Sequence, residues 1–173
     1  MTIKRRGTTS ALKRLAYAQL LAIGLSLTHA IHAAPASSAM SGFEPLIGGQ
    51  WVLGSTYQTY TWGPDRQSVF GESFVIQNGE KALGAKGLWY FDPASKTIKG
   101  VFVATNMPFT VLHYRSHFEA GTLISQVRSL DNLGTENHYQ ETIRVTQPDA
   151  YLWELTEAEP AGNTMKAEFH RAP

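Results

Sequence analysis

The sequence predicts an all-β chain, an antiparallel up-and-down β-barrel of about 8–10 strands. Three observations predict it. Runs rich in Val, Ile, Thr, Phe, Tyr and Trp recur from about Leu46 onward, turn residues separate them at short and regular spacing, and polarity alternates within the runs. Nine such runs fall near 50–62, 67–77, 86–92, 96–106, 109–119, 122–130, 135–147, 151–158 and 164–170.

The residues before the runs have a different character. Lys4, Arg5, Arg6, Lys13 and Arg14 make a basic start, and no acidic residue precedes Glu44. An apolar stretch follows from Leu15 to Leu27, then small residues around Ala30 and Ala33. A basic region, a short apolar region and a small-residue cleavage context together make a secretory signal peptide, expected over 1–33. The apolar stretch is short for a span of about 20 residues, so an uncleaved anchor is the weaker alternative. Residues 34–45, mostly Ala, Ser, Pro and Gly, are expected to be a flexible linker, and 46–173 the barrel domain. The exported product is expected in the periplasm or secreted.

Composition narrows the chemistry. The chain has no cysteine, which removes disulfides, thiolate nucleophiles and cysteine-based metal sites. Five of its fifteen Lys and Arg residues lie in 1–33 and none of its fourteen Asp and Glu residues does, which leaves 34–173 at −4. A mildly acidic domain without a basic cluster argues against nucleic acid as a partner. It equally gives no reason to expect membrane insertion once the signal is removed.

Turn chemistry separates the runs. Gly63-Pro64-Asp65, Asn78-Gly79, Asp92-Pro93, Met107-Pro108, Ala120-Gly121, Asp131-Asn132, Pro148-Asp149 and Gly162-Asn163 combine left-handed-tolerant residues with proline. The segment Gly79 to Lys86 falls short of a phosphate-binding loop, because its lysine is displaced and no hydroxyl residue follows; it is read as a turn. Between the turns, Leu112, Tyr114 and Phe118 share a face opposite His113, Arg115 and His117. In the same way Tyr139, Ile143 and Val145 oppose His138, Gln140 and Arg144. Sequential strands with short connections form a meander, and closing it removes exposed edges. A two-sheet sandwich is the alternative architecture.

Gly49-Gln50-Trp51 opens the first run and resembles the G-x-W motif of lipocalin and calycin barrels. That resemblance implies that Trp51 plugs one barrel end and that a basic residue of the last strand, Arg171, packs across it. Gly87-Leu88-Trp89-Tyr90-Phe91-Asp92-Pro93-Ala94-Ser95-Lys96 also resembles a hairpin of exported bacterial lipocalin-like domains of unknown function. The likeness covers about 46–171 and implies a fold and a cavity; it carries no catalytic residue.

Within a barrel the informative residues are carboxylates on apolar faces. Glu72 shares a face with Phe70, Phe74 and Ile76, and Glu141 with Tyr139, Ile143 and Val145. An ionised carboxylate inside a barrel is costly unless paired. Each is therefore a candidate ligand anchor or acid/base group, unless a bulge or strand end turns it to water. Tyr139, Trp89 and Tyr114 are candidate cavity walls, and Arg128 a candidate partner for a carboxylate. No cofactor and no metal is expected: His113 and His117 stand roughly 13 Å apart at about 3.3 Å per residue, too far to share an ion.

Three functions fit such a chain. The first is an exported barrel binding a small, mostly apolar molecule in its interior. The second is a barrel enzyme of the isomerase or cyclase type, with Glu72 or Glu141 as acid/base. The third is an envelope interaction protein with a filled barrel and a working outer strand, 109–119. Oligomeric state does not follow from the sequence.

Overall fold

The structure is a computed structural model and describes residues 39–105, 107–158 and 162–173. The expected signal peptide and the start of the expected linker lie outside the described residues.

Ten strands close into one antiparallel barrel: β1 (Trp51–Leu53), β2 (Thr56–Trp62), β3 (Ser68–Gln77), β4 (Glu80–Asp92), β5 (Thr97–Ala104), β6 (Val111–Glu119), β7 (Thr122–Leu130), β8 (Glu136–Gln147), β9 (Ala150–Glu157) and β10 (Thr164–Arg171). Each strand pairs with its sequence neighbour, and β1 meets β10 through Trp51↔Arg171 and Val52↔His170. The sheet is therefore a ring, not a sandwich. Alternation decides what faces inward. Ile98, Phe102 and Ala104 of β5 are buried, whereas Val101 and Val103 between them are exposed. Leu123, Ser125, Val127 and Ser129 of β7 are buried on the same principle.

Three local readings change. The run at 50–62 is two strands, because the chain turns at Gly54 with φ of 57°. The segment 79–86 is not all turn. Asn78 (φ 52°) and Gly79 (φ 82°) make a tight left-handed turn, and β4 begins at Glu80. Pairing with β3 on one side and the Thr105 bonds to Leu83 and Gly84 on the other hold this weakly β-prone stretch extended. Gly84 is the extra residue of a bulge opposite Ser73 and Phe74.

The third change concerns 34–45, whose described part is no flexible linker. Ser41–Leu46 is a 3-10 helix, and Met40, Phe43 and Leu46 are buried. A 3-10 helix has three residues per turn, so this spacing puts all three side chains on one face. That face enters the end of the barrel.

Candidate functional site

At one end the barrel is packed solid. Phe43 meets Trp89 at 5.5 Å and Phe118 at 5.1 Å, and Trp51 meets Tyr151 edge-on at 4.8 Å. The Trp51 indole N–H donates to the Leu46 carbonyl at 2.9 Å, tying the 3-10 helix to β1. The Arg171 guanidinium lies over the Trp51 ring, 4.2 Å from its centre. It also donates to the carbonyls of Pro45 at 2.7 Å, of Gly48 and of Pro148 at 3.2 Å. One cation thus covers the ring and satisfies carbonyls that end the helix.

Toward the other end the interior opens into a cavity of about 380 Å³. Gln58, Tyr60, Ala85, Phe102, Leu112 and Leu155 are among its walls, with Met107, Pro108 and Phe109 from the β5–β6 connection at its rim. Met107 is 39 % exposed and Met165 54 %, so the cavity reaches solvent beside them. Part of the room comes from Gly71 and Gly87, which face each other across β3 and β4. A Cβ on Gly71 would stand 2.9 Å from Trp89 and 3.0 Å from Phe102, and one on Gly87 would stand 2.5 Å from Phe102. Both rings can therefore lie flat on the wall and not across the lumen.

Glu141 brings the one buried charge to this cavity. It is 6 % exposed and lines the cavity from β8, opposite Ser125 and Leu155. Its Oε1 accepts the Trp153 indole N–H at 2.8 Å. Its Oε2 is buried without a partner, and the nearby Ser125 hydroxyl already bonds to Ser116 at 2.8 Å. Burial pushes the Glu141 carboxyl up to about 7, and the Trp153 bond opposes that rise. Near neutral pH this group can accept a hydrogen bond or give up a proton, inside apolar walls.

The structure separates the remaining expected site residues. Trp89 and Tyr114 line the cavity beside Glu141. Tyr139 shares the inner face of β8 but packs against the core and does not line the cavity. Glu72 is among the residues that border the cavity, but the parity reading of its side chain changes, because the apolar face it shares is the outer one. Gly71, between Phe70 and Glu72, is the residue that points inward, opposite buried Tyr60. Phe70 is 38 % exposed, and the Glu72 carboxylate holds Lys81 at 2.8 Å and Lys86 at 2.6 Å. Hydrogen bonds from those lysines lower its pKa from the ordinary carboxylate value. Arg128 also faces outward and bonds Glu136 at 3.0 Å, so it partners no cavity carboxylate.

Other cavity groups were missed by sequence reasoning. Gln58 Oε1 accepts the hydroxyls of Tyr60, at 2.8 Å, and Tyr151. The signal was present in the period-two spacing of Gln58, Tyr60 and Trp62, which puts a polar residue on an aromatic face. Burial raises the hydroxyl pKa of Tyr60, Tyr114 and Tyr151, so these groups stay neutral. A second hollow of about 780 Å³ lies against the strands β6 to β9, where exposed Arg115, Gln126, Arg128 and His138 rim it. It has no enclosed apolar wall comparable to the lumen. Among the described residues, no group of three His, Asp or Glu side chains is placed to hold a metal ion.

No family model matches the chain, and a search of curated proteins finds no match either. The closed ten-strand meander is consistent with a lipocalin-like fold, and the functional argument rests on the cavity.

Proposed function

We propose that this chain is an exported, lipocalin-like barrel that binds a small, mostly apolar molecule in its interior. The observation that carries the reading is a cavity of about 380 Å³, walled by aromatic and aliphatic side chains and open at one end only of a barrel plugged at the other. Its volume falls in the range of ~300–1,000 Å³ typical of small-molecule sites, and a few placed polar groups in apolar walls are what such sites use for orientation. Export is supported by the basic, apolar and small-residue order of 1–33. The periplasm or the exterior is the proposed location.

Native mass spectrometry of the exported chain, compared with its denatured mass, tests the proposal. A discrete excess that vanishes on denaturation is the expected result, and extraction then identifies the molecule. Equal masses, together with no binding of any apolar probe to the purified chain, would overturn it.

A second reading has one observation in its favour. A cavity carboxyl lifted to about 7 suits a general acid/base, so an isomerase or cyclase acting on a bound apolar substrate would use Glu141. That reading requires Glu141→Gln to abolish turnover while the molecule found by extraction still binds.

A further inference from the structure

The lumen has a sign as well as a shape. Among the described residues, Glu141 is the cavity-lining carboxylate with a buried oxygen that lacks a partner: Oε1 is held by Trp153, and Oε2 has nothing on it. Among the described residues, no Lys, Arg or His lines the cavity. The nearby cations are turned outward, Lys81 and Lys86 onto Glu72 and Arg128 onto Glu136. An anionic ligand would find no counter-charge there.

The walls have the same preference. Trp89 packs with Phe102 at 4.4 Å and with Tyr114 at 5.6 Å, and Tyr60 and Trp153 complete an aromatic lining around the carboxylate. Ring faces carry partial negative charge and attract cations. Two donors on the wall also lack a partner, the Tyr114 hydroxyl and the Trp89 indole N–H; both are uncharged, and the Trp89 N–H is buried beside Gly100, 3.2 Å from where its Cβ would stand.

We infer that the ligand is a protonated amine on an apolar, ring-sized body, with its ammonium on Glu141 Oε2 and its body against Trp89, Phe102 and Tyr114. This inference rests on the interior-binding reading above and adds the charge of the ligand. An ammonium supplies the donor that Oε2 lacks, and a charge-assisted bond in an enclosed site is among the stronger hydrogen bonds available to a protein. The aromatic walls shield it from water and stabilise the cation directly.

Calorimetric titration of the full chain with three probes that differ only in head group tests this: tryptamine, neutral 3-ethylindole and anionic indole-3-propionate. Tryptamine is expected to bind at least about tenfold more tightly than 3-ethylindole, with indole-3-propionate weakest. In Glu141→Gln the preference for tryptamine is expected to collapse to the level of the neutral probe. Equal binding of the amine and neutral probes, or a preference for the anion, overturns the inference and leaves interior binding standing. No binding by any probe overturns both. Should Glu141→Gln fail to fold, the ranking on the unmodified chain decides alone.

Discussion

The two ends of this barrel use similar residues for opposite purposes. At the plugged end, Trp51, Tyr151, Phe43 and Phe118 fill the lumen, and the polar groups of Trp51, Tyr151 and Arg171 have protein partners: the Trp51 N–H on Leu46, the Tyr151 hydroxyl on Gln58, the Arg171 guanidinium on Pro45, Gly48 and Pro148. At the open end, Trp89, Phe102 and Tyr114 lie along the wall, and Glu141 Oε2 is left without one. Aromatic content therefore does not distinguish structure from function in such a barrel. What sets the open end apart is a buried carboxylate oxygen among the rings that no protein group satisfies.

The contrast can be broken most forcefully at the plug. Trp51→Ala removes a side chain with 0 % exposure and is expected to cost roughly 3–5 kcal/mol, read as a lower urea midpoint. A loss under about 1 kcal/mol would mean that the plug is not the stability centre.

The open end is expected to show the next effect through pH. Burial holds the Glu141 carboxyl protonated in the folded chain up to about pH 7, whereas the unfolded chain ionises near 4.5. The folded state therefore binds more protons between these values. The contribution of Glu141 to stability is full below about pH 4.5 and is lost as pH rises to about 7, by up to about 3 kcal/mol, with no further loss from this group above it. Glu141→Gln is expected to remove that slope and to raise stability at pH 8. Parallel urea curves for the two proteins at pH 5 and pH 8 make the measurement, and identical pH slopes would contradict the assignment.

Arg171→Met sharpens the comparison at a smaller scale. It keeps the stem over Trp51 but loses the cation and its carbonyl bonds, for an expected cost of about 1–2 kcal/mol. The smallest effect belongs to the outer surface. Glu72→Gln breaks a solvent-screened pairing with Lys81 and Lys86 and is expected to change stability by under about 1 kcal/mol and ligand binding not at all. Lost ligand binding in Glu72→Gln would mean that this carboxylate, which borders the cavity, contacts the ligand.

Much of the barrel was legible because its signals are local. Turn residues such as Asn78-Gly79 and Ala120-Gly121 fall between the strands that the structure pairs, and period-two burial follows polarity in β6 and β8. Parity placed Glu141 on the inner face of β8 because its neighbours Tyr139 and Ile143 are flanked by polar residues. The same logic failed at Glu72, since β3 is apolar on both faces: Val69 points in, while Phe70 and Phe74 cover the outside. Phe74 is buried on that outer face by Tyr57, stacked at 5.3 Å, and by Lys81 above its ring. An apolar residue there is no guide to the core. The plug helix was hidden by its small-residue composition, although the spacing of Met40, Phe43 and Leu46 carried its period. Nothing local could reveal that Oε2 lacks a partner, because that depends on what seven other strands bring to the same cavity.

The seam between β1 and β10 has a consequence in time. Only Trp51↔Arg171 and Val52↔His170 join these strands, and they come from the two extremes of the barrel sequence. Each earlier pairing joins neighbours across a short turn, but this one must bring together distant chain segments, with the largest loop entropy to overcome. Ring closure is therefore expected to come late in folding. Until β10 docks, β1 and β9 present free backbone edges to any other chain. The arginine that seats the plug is also the residue that marks the ring as complete.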